Sequence, residues 1–422
     1  MTDSEEPATI GSPGSQPSIT QPLSGVTVVD FTQFVAGPVC TREMAELGAD
    51  VIKVELAPGG DLVRKMPVYR NGRSAYFIQQ NLGKRSLCVD IRDPEGLGLV
   101  KRLIAKADVM VENFSPGVIA RLGLGWDIVH ALNPELIMCS VSAFGQSGRL
   151  SDQPGFDYIA QAYTGITSLI GEKDGNPSLT GFATGDVGAG ITALAMINAA
   201  LFGRTVHGGG GRWIDVALID FYFHSHSLAV EQSSASGGEI KPMRNGHRHF
   251  TVSPIGIYES REGHIVLSPV GDEMFRRLLR AMDREDLLAD ARFTENAGRI
   301  EHFDDLERII TDWLKAQPSD EAALEKLQKE RVPCAPVLTV ADAIRHPHLM
   351  ERFTVRDVED SALGRFQVPG PLQHLSGEAP VLPPTAPLLG EHNEAVLSQY
   401  LGLASSEIAS LETNGVLIRE HS

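Results

Sequence analysis

The chain has 422 residues, 42% hydrophobic and 22% charged, with 54 acidic against 37 basic side chains and a formal net charge of −17. That length holds two or three globular domains with a large buried core, and the composition excludes a disordered or fibrous chain. The acidic balance argues against nucleic acid or an anionic membrane as the main partner, while leaving local basic clefts open to a phosphorylated ligand. Cys40, Cys88, Cys139 and Cys334 lie far apart with no CxxC pair. That spacing excludes a disulfide scaffold and an ordinary structural zinc site, and suits a reducing cytoplasm.

Residues 1–22 begin acidic (Asp3, Glu5, Glu6) and then turn rich in Ser, Pro and Gly. They have neither the basic start nor the apolar run of a targeting peptide, so a disordered leader is expected. From Leu23 short β-rich runs (26–31, 49–55, 85–91, 108–114, 134–145) alternate with helical stretches at 37–47 and 94–106 and one ending near Leu132. This rhythm predicts parallel βαβ units with right-handed crossovers, a doubly wound α/β domain. The uncharged run 187–203 falls just short of the ~20 residues of a membrane span. It is Ala-rich, contains Asn198 and lies between Asp186 and Arg204, so a buried helix is expected.

After Gly211 a strand and helix are expected over 213–224, a Ser/Gly linker over 233–238, and a hairpin over 255–270 turning at 261–263. Helices follow at 272–282, 303–316 and 320–330. A smaller α+β domain is therefore placed at 225–330, and 331–422, beginning with a strand at 332–340, is expected to complete the large domain of 23–224. No internal repeat is evident.

The chain lacks Walker A, GxGxxG, HExxH, GxSxG and Cys/His signatures. HGGGGR (207–212) has no Lys-Ser/Thr after it and reads as a flexible turn. His247 and His249 in RNGHRHF are too close and too loop-like for a metal, and no metal is expected. The informative segment is TGDVGAG (184–190), which opens the Ala-rich helix. Asp186 there suits an N-cap role, accepting hydrogen bonds from free backbone N–H groups. The N-cap is the plainer reading of the residues alone; the sharper one is a nucleophile in a first turn stripped of side chains by Gly188 and Gly190, with free N–H groups to stabilise developing negative charge. Lys84, Arg85, Arg92 and Arg121 lie near predicted strand ends, where open α/β sheets bind ligands, and together they suit a phosphate-bearing ligand. Scattered surface charge explains them as well.

Taken together, these stretches resemble the family III CoA-transferases of the CaiB/BaiF type. The resemblance runs through LSGVTVVDFTQFVAGPVCT, LGADVIKVE, PGGDLVR, NLGKRSLCVDIRDPEG and ADVMVENFSPGVIARLGLGW. It continues through NPELIMCSVSAFGQSG, GFDYIAQAYTG, TGDVGAG, VPCAPV and PLLGEH, covering nearly all of 23–403 in order. It implies a Rossmann-like large domain with a smaller inserted domain, a ring-shaped monomer and an interlocked homodimer. The implied activity is transfer of CoA from an acyl-CoA to a free carboxylic acid, with CoA as substrate and no tightly bound cofactor.

By that resemblance Asp186, in GDVGAG, is the nucleophile that passes through acyl-aspartyl anhydrides and an aspartyl-CoA thioester. Arg92 and Arg121 match positions holding CoA phosphates, and Lys84 and Arg85 belong to the same segment. Asn113 and Phe114 fall near the pantetheine path, Val35 and Ala36 border the thioester, and Tyr76 matches a tyrosine near the acyl group. The chain departs from the formyl/oxalate enzymes at Val35, which replaces a glutamine, and at His249–Ser253, which replaces a tetraglycine loop. There His247, Arg248 and His249 offer charge to a dicarboxylate. The α-methylacyl-CoA racemases of the same family carry a histidine where this chain has Phe156, and a phenyl ring cannot carry a proton. A CoA-binding protein without turnover is the remaining, non-enzymatic reading.

Overall fold

The structure, a computed structural model, describes residues 21–376 and 385–420. The leader expected at 1–22 therefore lies almost wholly outside the described residues. Strands β1 (Thr27–Asp30), β2 (Asp50–Leu56), a short β3–β4 ladder (Tyr69–Arg70, Arg73–Ser74), β5 (Arg85–Val89), β6 (Val109–Glu112), β7 (Ile137–Ser142) and β8 (Arg212–Ala217) follow in sequence. Six of them form one sheet in the order β5-β2-β1-β6-β7-β8, with every pairing parallel.

Successive side chains of each strand face opposite layers, which is why the runs read as nearly continuous apolar stretches. Val28, Val51 and Val109 pack under helices Ala36–Glu46 and Thr184–His207. Their neighbours Val29, Ile52 and Met110 pack under Pro94–Ile104 and the C-terminal helices Asn393–Leu401 and Ser405–Thr413. The chain steps outward from β1 to β2 and β5, then returns to lay down β6, β7 and β8 on the other side. The reversal opens a crevice at the carboxyl ends of β1 and β6.

The helix expected to be buried over 187–203 is buried along one face only. Ala189, Ala193, Ile197 and Leu201 meet the sheet, whereas Ile191, Met196, Phe202 and Val206 are exposed. By length and composition it is the one described helix apolar enough to cross a membrane, yet its buried face is part of the sheet's core.

A separate antiparallel sheet, β11-β10-β9, is built from β9 (Gly256–Glu259), β10 (His264–Leu267) and β11 (Cys334–Pro336). The Ser260 N–H donates to the Gly263 carbonyl at 2.9 Å, closing the turn read from the sequence. Phe275, Leu278, Leu306, Ile310 and Leu327 from three amphipathic helices cover this sheet. Two expectations need correction. Because β11 pairs with β10, residues 332–336 belong to this unit and not to the large sheet. Helix Ala229–Ala235 occupies the first part of the expected linker. The hairpin β12 (Val355–Asp360) and β13 (Gly364–Pro369) packs Val358 and Val368 against Val63, Phe77 and Leu82.

The glycines of TGDVGAG serve packing rather than ligand access. A Cβ at Gly185 would lie 2.2 Å from the Tyr222 ring, and one at Gly188 2.1 Å from the Phe221 ring. At Gly190 it would lie 2.5 Å from the Ala36 carbonyl oxygen, where helix meets helix. Gly190→Ala is therefore expected to lower the unfolding free energy by about 1–3 kcal/mol, as overpacking does. A lower urea midpoint with unchanged slope would show it, and an unchanged midpoint would refute so close a contact.

Candidate active site

A cleft of about 260 Å³ opens at the switch point. Gln33, Phe34, Val35 and Ala36, which follow β1, form one wall, and Asn113, Phe114 and Ser115, which follow β6, form another. Ser142, at the end of β7, and the Gln153–Phe156 segment add to it, and Asp186 reaches in from the first turn of the Thr184–His207 helix. Asp186 is the sole ionisable residue among those lining this cleft.

Asp186 is not the N-cap of its helix. Ala183 holds that place, and among the described residues no group donates a hydrogen bond to the Asp186 carboxylate. Its backbone N–H is taken as well: it donates to Asp157 Oδ2 at 2.9 Å, so it is not free to stabilise an oxyanion. The buried Asp157 accepts at its other oxygen from the Tyr222 hydroxyl at 2.6 Å. Burial, with the Asp157 charge behind it, pushes the Asp186 carboxyl up to about 7. At neutral pH a good part of the group is thus anionic, unpaired and poorly solvated, which is the state of an activated oxygen nucleophile.

Phe34 supplies the cleft with a strained backbone. Its φ of +62° lies in the left-handed region, where a non-glycine residue costs of order 1–3 kcal/mol and marks a functional turn. Its ring meets the Phe156 ring edge-on, with centroids 5.9 Å apart. Phe156 lines the cleft with its ring largely exposed. Asn113 spends its carboxamide on the backbone: Oδ1 accepts from the Gln33 N–H and Nδ2 donates to the Gln33 carbonyl, both at 2.7 Å.

The structure thus brings Val35, Ala36, Asn113, Phe114, Phe156 and Asp186 together. Tyr76 is half-buried and near enough that the Asp186 charge, after burial, helps raise its hydroxyl pKa. Arg92 and Arg121 are exposed on segments that follow β5 and β6. Arg92 pairs with Asp90 at 2.7 Å, and Arg121 makes no ion pair among the described residues.

Three expectations fail on geometry. Lys84 is fully buried, 3.0 Å from Asp30, so it cannot reach a phosphate in solvent. Arg85 opens β5 rather than ending it; it pairs with Asp50, at the start of β2, on the amino edge of the sheet. His249 does not line the cleft: its Nδ1 accepts from the Thr251 and Val252 N–H groups, and burial lowers its pKa. The neighbouring charges are likewise spent, His247 on Glu307 and Arg248 on Asp304 and Glu307. Phe34, Asp157 and Tyr222 escaped the sequence reading. Only Asp157 left a trace there, as the residue after Phe156 in GFD.

A partly apolar cleft with one unpaired carboxylate is suited to a carbonyl electrophile. The sequence pattern described as CoA-transferase family III matches residues 23–393, and the chain belongs to that family. It is a CoA-transferase. It is 33% identical to succinyl-CoA–D-citramalate CoA-transferase of Chloroflexus aurantiacus, over 94% of this chain and 98% of the relative. It is 34% identical to succinate–glutarate CoA-transferase of Agrobacterium fabrum, over 91% and 96%. A CaiB/BaiF family protein from Brucella suis superposes with a TM-score of 0.79 at 32% identity, covering 90% of this chain and all of that one. Rv3272 from Mycobacterium tuberculosis gives 0.78 at 28% identity, over 89% and 99%.

A transfer step that needs the Asp186 carboxylate ionised would show a rate (kcat/KM for acyl-CoA) that climbs with pH through a midpoint near 7. Asp157→Asn removes the adjacent negative charge and should move that midpoint to lower pH. A midpoint that stays put in the variant would show that Asp157 does not act on Asp186.

Proposed function

We propose that the protein moves CoA from an acyl-CoA donor to a free carboxylic acid through covalent intermediates on Asp186. The observation that carries this reading is the lone carboxylate in the switch-point cleft, unpaired and held near neutrality by burial. The carboxylate attacks the thioester carbonyl, the C–S bond breaks, and CoA thiolate leaves behind an acyl-aspartyl anhydride. The thiolate then attacks the aspartyl carbonyl, expelling the donor acid and forming an aspartyl-CoA thioester. The acceptor carboxylate attacks that thioester and regenerates the thiolate. Attack of the thiolate on the acyl carbonyl of the new anhydride yields the product thioester and free Asp186. One thioester is made as another is broken, so no ATP is needed.

Arg92 and Arg121, exposed on segments that follow β5 and β6, are the residues we assign to the CoA phosphates. Val35, Ala36 and Phe114, which line the cleft, would border the path of the thioester arm, and Tyr76 is assigned to the acyl group by the family resemblance. The relatives' names make succinyl-CoA the first donor to test and small dicarboxylates the first acceptors. The racemase reading is not favoured, because Phe156 has no proton to give or take.

The reading includes a homodimer in the cytoplasm. Its supports are four unpaired cysteines and the apolar strip Phe182, Ile191, Met196 and Phe202 left exposed on one helix face and its approach. Light scattering should then give twice the 45.6 kDa chain mass, and a monomer at micromolar concentration would remove the dimer.

Mixing wild type with acyl-CoA and no acceptor should add the mass of CoA less water, and Asp186→Ala should show no adduct and no turnover while staying folded. Transferase activity in Asp186→Ala would sink the mechanism. Arg121→Ala should raise the KM for acyl-CoA with a smaller effect on kcat. A kinetically silent Arg121→Ala would remove the phosphate assignment.

A further inference from the structure

Beneath the cleft lies a cluster of buried charges that the transfer chemistry does not use. Asp30, the last residue of β1, pairs with Lys84 at 3.0 Å and accepts from the Thr41 hydroxyl at 2.8 Å. Its Oδ1 accepts from the Thr32 N–H at 2.8 Å and from the Thr32 hydroxyl at 2.5 Å. Lys53, in β2, pairs with Asp61 at 2.9 Å and donates to the Thr32 carbonyl at 2.7 Å. Asp30, Lys53, Asp61 and Lys84 are at most 3% exposed. Buried ion pairs of this kind contribute little net stability, since apolar side chains of similar size replace them at little cost. Their use must lie in what they hold.

They hold the turn that makes the cleft wall. The Thr32 N–H and carbonyl are taken by Asp30 and Lys53, and the Gln33 N–H and carbonyl by Asn113. Four consecutive backbone polar groups are thus fixed by three side chains. The next residue is Phe34 in its left-handed conformation, and the next two, Val35 and Ala36, line the cleft beside Asp186. Gly37 closes the assembly: a Cβ there would lie 2.3 Å from Thr32 Cγ2 and 3.2 Å from Asn113 Cγ. A strained turn persists only when its surroundings over-determine it, and these contacts do so.

We propose that Lys53 and Asn113 are positioning residues for CoA transfer, clamping Thr32 and Gln33 so that Phe34–Ala36 stand at a fixed distance from Asp186. This role rests on the transferase reading above. Lys53→Met keeps the side-chain bulk and removes the donor and charge. Asn113→Ala releases Gln33 without leaving a charge unpaired, and decides the matter if Lys53→Met does not fold. The Gln33 amide, freed directly in Asn113→Ala and through the released Thr32 carbonyl of the same peptide unit in Lys53→Met, should exchange hydrogen faster while β1 stays protected. The single-turnover rate of Asp186 adduct formation should fall roughly ten- to hundredfold, as displacement of a reacting group by about 1 Å does. In Lys53→Met, whose side chain lies outside the cleft, affinity for free CoA, measured by calorimetry, should change far less than the rate.

Unchanged protection of the turn, or lost protection with a wild-type adduct rate, would overturn the clamp. A loss of CoA affinity in Lys53→Met equal to the loss of rate would also overturn it, making the turn a binding element only. Absence of any adduct in wild type would instead remove the transferase reading, and this role with it.

Discussion

Two adjacent parallel strands whose crossovers leave in opposite directions cannot both be roofed at their carboxyl ends. The strand order reverses between β1 and β6, so the crevice above them is a consequence of connectivity. The segments following β1 and β6 form its walls, and the longest helix of the described residues sets Asp186 at its mouth. A cleft made in this way needs no loop insertion to exist; it needs only side chains that do not fill it.

Burial then divides the carboxylates near that edge into two kinds. Burial works to raise Asp30, but Lys84, Lys53 and the Thr32 hydrogen bonds override it and hold its pKa below the ordinary value. Asp186, less completely buried, is also desolvated, but its charged neighbour is another carboxylate, so its pKa rises. The first is a structural anion, and the second is a base or nucleophile at neutral pH. Lys84 completes the contrast: burial pulls its pKa down to about 8 despite the Asp30 partner, yet it remains a cation at neutral pH and keeps the pair intact. Nearby, Glu55 binds Arg64 and Ser86 and is committed in the same way as Asp30, while Asp186 is not.

Close packing does the remaining work. The Ala-rich helix reaches its neighbours because Gly185, Gly188 and Gly190 leave room for Tyr222, Phe221 and the Ala36 carbonyl. Tyr222 in turn donates to Asp157, which holds the Asp186 N–H. Glycines that look in the sequence like space for a ligand are thus spaces for protein, and the placement of Asp186 depends on them at one remove.

The alternation of apolar runs and helical stretches determined the doubly wound sheet, because residues buried on both faces of a parallel strand must be apolar whatever they touch. Family-specific residues placed Asp186, Val35, Ala36 and Phe114 at one site, since each falls beside a strand end or helix start that local pattern locates. Charge roles were not legible in this way. Lys84 and Arg85 are neighbours in sequence, yet one is buried against Asp30 and the other pairs with Asp50 on the opposite edge. Lys53 is one polar residue in an apolar run, His249 lies outside the cleft, and β11 joins the smaller sheet. Which cation meets which anion, and whether either meets solvent, depends on contacts between segments tens to hundreds of residues apart, and only the folded chain decides them.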